Sequence, residues 1–125
     1  MDAKLVLDHL NLSVKDLKER LQRFLSRYVF VRRISDEVSD EILSQINVNS
    51  ALYFRIEFDS WDVFVRQEEL LYRFYKKLLA MCRGVIYFSV GEEMLSSELV
   101  SDPSDFIVLV ATNPYLRIDV WVPLG

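Results

Sequence analysis

Glu57, Asp59 and Asp62 are the residues whose types and spacing come nearest to chemistry. They lie at the end of an alternating apolar segment and in the turn after it, where carboxylates can supply the oxygen ligands that Mg²⁺ takes. Such a cluster would suit a small metal-dependent hydrolase or nuclease. Metal-dependent nucleases place a lysine close to acidic residues on a sheet, and Glu57-Phe58-Asp59 has no lysine two residues on. Asp59, Ser60 and Asp62 also have the character of a turn and a helix cap. Glu68 and Glu69, farther on, read as helix-start residues or as partners of Tyr72 and Arg73.

His9 is the single histidine and Cys82 the single cysteine. A thiol–imidazole dyad would need them to meet in space. Cys82 falls in an apolar helical stripe and reads as a small buried hydrophobe. His9 reads as a surface or edge residue. One cysteine excludes an internal disulfide and a zinc site built on thiolates. Gly84 and Gly91 stand alone, so the sequence holds no phosphate loop, no dinucleotide fingerprint and no cofactor motif.

Binding chemistry is better represented. Tyr53, Arg55 and Glu57 occupy the polar half of one alternating segment, and Tyr115, Arg117, Asp119 and Trp121 that of another. Tyr, Trp and Arg are the types that dominate protein–protein interfaces. With Asp59 and Asp62 they form the candidate partner-binding set. The competing reading is that helices cover this face too and leave these residues half-buried.

Charge is sorted along the chain. In residues 13–33, Lys15, Lys18, Arg20, Arg23, Arg27, Arg32 and Arg33 stand against Asp16 and Glu19, a net of +5. Residues 34–69 hold nine carboxylates against Arg55 and Arg66, a net of −7. The basic helix, with Tyr28 and Phe30 close by, could touch nucleic acid. Pairing of Asp16 with Arg20 and Glu19 with Arg23, and an overall charge of −4, favour a solvated face and disfavour nucleic acid. The balance points to a non-enzymatic module that binds a basic protein. By analogy of composition it is an inhibitor or immunity-type protein occluding a toxin or nuclease. A self-associating accessory subunit, using the Tyr/Trp/Arg face as a homodimer interface, is the alternative.

The elements that must position these residues follow from periodicity. At 125 residues and 51% hydrophobic, the chain suits one globular domain with few irregular loops. No signal-peptide pattern opens it and its apolar runs fall far short of a membrane span, so a cytoplasmic setting is expected. Residues 4–10 suit a strand or a lead-in turn. Ser13 caps a helix with Val14, Leu17, Leu21, Phe24, Leu25 and Tyr28 as its stripe. A short strand is expected near 28–34, and a second helix over 36–46 capped by Ser35. Residues 51–58 form the clearest strand. A long helix follows, starting between Trp61 and Gln67, buried through Leu70, Leu71, Phe74, Leu78, Met81 and Cys82, and stopped at Gly84. Arg73, Lys76, Lys77 and Arg83 fall toward its C-terminal end. Residues 85–90 and 106–111 read as buried strands, 92–99 as a short helix, and Asn113-Pro114 as the loop of a hairpin between 106–111 and 115–122. The expected fold is α+β: an antiparallel sheet of four or five strands with about three helices on one face, in the order α-α-β-α-β-β-β.

Overall fold

The computed structural model describes residues 13–82 and 84–125. His9, Arg83 and the segment 4–10 lie outside the described residues. The elements are α1 (Val14–Leu25), β1 (Val31–Ser35), α2 (Asp40–Gln45), β2 (Ala51–Glu57), α3 (Trp61–Met81), β3 (Tyr87–Val90), β4 (Glu93–Ser96), α4 (Pro103–Thr112) and β5 (Arg117–Pro123). The strands form one antiparallel sheet in the order β1-β2-β5-β3-β4. The fold is therefore α+β with a five-stranded antiparallel sheet.

Each helix starts where a side-chain oxygen meets an orphan backbone N–H. Ser13 accepts from the Asp16 N–H, Ser39 from Ile42, Ser60 from Val63 and Asp102 from Ser104. The alternation in β2 sends Leu52, Phe54 and Ile56 to one face, where β5 adds Ile118, Val120 and Val122 and β3 adds Phe88. On that face α1, α3 and α4 pack their apolar stripes. Phe74 of α3 is the centre of an aromatic cluster, stacked on Phe24 at 5.4 Å and edge-on to Tyr28, Phe30 and Phe54. Tyr75 stacks on Phe106 of α4 at 4.0 Å. Its hydroxyl donates to the Val100 carbonyl, and burial pushes its pKa up.

Several expectations are corrected. Residues 106–111 are helical: Asp102 caps, Pro103 occupies the first turn, and Phe106, Ile107 and Val110 face the core. A short continuous apolar run fits a helix as well as a strand, and packing on Tyr75 decides. Hence 106–111 and 115–122 make no hairpin; β5 inserts between β2 and β3. Residues 92–99 hold strand β4, turned back on β3 at Gly91, whose φ of +61° is open to glycine at little cost. Ser35 ends β1, and the second helix is shorter than 36–46, with Ser39 as its cap. The long helix ends at Met81, before Gly84, and its Leu70 is exposed.

Candidate functional site

The second face of the sheet gathers the polar half of every strand. Register places Tyr53 opposite Trp121, Arg55 opposite Asp119 and Glu57 opposite Arg117. Tyr87 continues the first row, Ser89 and Met94 the second, and Arg32 of β1 flanks Arg55. At the Ala51–Pro123 end, α2 covers the sheet. Ile46, Ala51 and Trp121 are buried there, with Ile42, Leu43, Tyr53, Tyr87 and Met94 packed around them. Trp121 is thus a pillar under α2, tilted against Tyr53 at 5.6 Å. For this end the covered-face reading is correct.

Beyond α2 the face is polar and cross-linked. Asp119 Oδ1 accepts from the Tyr53 hydroxyl at 2.6 Å and from Arg55 Nε at 2.9 Å. Burial first, and then the bond and charge of Asp119, push the Tyr53 phenol up to about 12. The same carboxylate raises the Arg55 pKa. Arg32 reaches from β1 to two acids at the end of β2 and just beyond it, with Nη1 3.2 Å from Glu57 Oε1 and Nη2 3.0 Å from Asp59 Oδ1. Arg117 approaches Glu57 Oε2 at 3.9 Å and lies over the Tyr115 ring at 5.0 Å. Three guanidiniums therefore meet three carboxylates, and the surface is locally balanced.

Eight of the nine sequence candidates belong to this surface or its margin. Glu57 and Asp59 are both held by the Arg32 guanidinium, and Arg117 adds a second positive charge beside Glu57. Asp62 stands apart in the first turn of α3, its backbone carbonyl accepting from Arg66. Among the described residues no three His, Cys, Asp or Glu side chains gather as a metal-holding group. Cys82 is mostly buried beside the core, where burial pushes its thiol up to about 12.

Arg32 is the member that sequence reasoning missed, because it counts there with the basic block of 13–33 and not with the partner-binding strands. Its signal was weak: a polar residue between Val31 and Ile34 in a β-branched run. Tyr87 and Ser89 were similarly hidden in a segment that reads as wholly buried.

Chemically, the arrangement offers donors more than reactive groups. A guanidinium carries five N–H donors in a fixed fork. Arg55 donates from Nε to Asp119 and also borders the Tyr53 hydroxyl. Its side chain is only 15% exposed, so the fork is held in place by its surroundings. Protein-family models, curated proteins and solved structures were each compared with the chain, and none of the three yields a match.

Proposed function

We propose that this chain is a non-enzymatic protein-binding module that docks through the uncovered part of its second sheet face and blocks a basic partner by occlusion. The observation that carries the reading is the cross-strand network of Arg32, Arg55 and Arg117 with Glu57, Asp59 and Asp119. It fixes long side chains before any partner arrives, and side chains already ordered cost less entropy on docking. Tyr53 adds a half-buried aromatic edge, and Tyr115, 70% exposed, a free ring at the rim. The two charge scales act differently. The network is balanced and supplies short-range locks, while the net charge of −4 steers a basic protein from a distance. An inhibitor or immunity-type role would follow if that partner were a toxin or nuclease.

The test is affinity capture from the native source with the wild-type chain and with Y115A/R117A, an exposed and a half-buried position, both outside the core. The reading expects a basic protein in one-to-one ratio, its affinity at least tenfold weaker for the double variant and falling with salt. A partner held equally by both chains, or recovery of further copies of the same chain, overturns it.

A further inference from the structure

The outer surface of the helix layer, on the far side from that sheet face, carries a second recognisable shape. Helices α3 and α4 run antiparallel, with Tyr75 on Phe106 beneath them, and leave a groove of about 570 Å³ between their outward sides. Its apolar lining is Val65, Tyr72, Ile107 and Val108, and the charged residues that line it, Glu68 and Glu69, are both acids. Val65 is 49% exposed and Val108 58%, although each stands on a helix whose other side is fully committed to the core. Trp61, 56% exposed, extends the stripe by one turn and shares a neighbouring hollow with Tyr115. Large apolar side chains exposed together in this way mark an interaction site.

We propose that this groove receives a basic amphipathic helix from a partner protein. Trp61, Val65, Glu68 and Tyr72 recur along one side of α3, a span of about 16 Å, which fits roughly three turns of an incoming helix. Two antiparallel helices offer a third helix ridges on both sides, and each apolar anchor of the occupant would meet one residue of α3 and one of α4. The acids fix its sign. Among the described residues Glu69 pairs with Arg73, in an exposed pair at 3.2 Å, and exposed pairs of this kind contribute little and exchange readily. Asp105, exposed in the first turn of α4, adds to the negative edge. A second copy is a poor occupant: packed groove to groove about a two-fold axis it would bring four glutamates together. The assignment stands whether or not the sheet face binds.

The probe is a synthetic helical peptide of about 14 residues with Leu on one face and Lys on the other, beside its Leu/Glu counterpart. Binding is followed by NMR at the backbone amides of α3 and α4 and at the Trp61 indole. The Leu/Lys peptide should shift Val65, Tyr72 and Val108 while Arg55 and Arg117 stay still. V65D/V108D should weaken it at least tenfold, and E68K/E69K should transfer the preference to the Leu/Glu peptide. Glu68 and Glu69 are charged and exposed already, so E68K/E69K decides the matter if the aspartates disturb folding. Equal binding by the groove variants, shifts spread over the whole acidic surface, or self-association that V65D/V108D abolishes would each overturn the proposal.

Discussion

Asp119 shows how a single carboxylate organises this surface. One oxygen accepts from both Tyr53 and Arg55, two side chains of β2 converging on a residue of β5 across the ladder. Burial raises the phenol's pKa most and the bond to Asp119 adds to it, and that has a consequence at high pH. Tyr53 is held at about 12 in the folded protein, against an ordinary value near 10 when unfolded. Between those values the unfolded chain loses a proton that the folded one keeps, so unfolding becomes easier as pH rises. The contribution of Tyr53 is complete below pH about 10 and gone above about 12. Urea titrations should show wild-type stability falling through this window, and Y53F should fall less steeply by the part that belongs to Tyr53. Equal slopes in the two chains would place the effect elsewhere, with Tyr75 and Cys82, whose pKa values burial also raises.

Elements differed in how plainly they could be read. The strand over 51–58 and the helix from Ser13 were legible because alternation and helical spacing each persist over several residues, and tertiary packing then follows the same pattern. Residues 106–111 were not, because six consecutive apolar residues carry no period, and β-branched Ile107, Val108 and Val110 lean the wrong way. The deciding signal lay just outside the run, in Asp102-Pro103, which serves equally as a turn and as the start of a helix. Ser35 and Ser39 posed a similar choice of caps. The ion pairs that build the candidate site were beyond reach for another reason: Arg32 and Asp59 stand 27 positions apart, and only the sheet order joins them. The cap reading makes α4 testable. Asp102→Ala removes the acceptor for the Ser104 N–H at 2.8 Å and should cost about 0.5–2 kcal/mol in urea unfolding. Asp102→Asn, which keeps a cap, should recover most of it.

At the scale of the molecule, the charge blocks do not map onto separate faces. Lys18 of the basic block reaches Asp36 of the acidic one at 2.9 Å, and Arg32 reaches Glu57 and Asp59, so the blocks interlock. These pairs range from half-buried to exposed and lie at the surface, where ion pairs contribute little to stability. Cohesion comes instead from the sheet, and there the chain order matters. The last strand, β5, is also the middle one, paired along its full length with β2 and on its other side with β3. Without residues 117–123 the sheet divides into β1-β2 and β3-β4, two hairpin-sized pairs, each too small to stand alone in water. The core would also lose Ile118, Val120 and Val122, each nearly or wholly buried and each contributing about 1.5–3 kcal/mol by burial. That sum, about 4.5–9 kcal/mol, is a large part of the roughly 5–15 kcal/mol expected of a folded domain. A chain ending at Tyr115 should therefore show no cooperative urea transition, although its helical segments remain in the sequence. Supplying residues 116–125 as a separate peptide should restore a transition whose midpoint rises with peptide concentration, since the peptide then binds the folded state alone. A cooperative transition in the truncated chain by itself would mean that the helix layer, and not the central strand, holds the fold together.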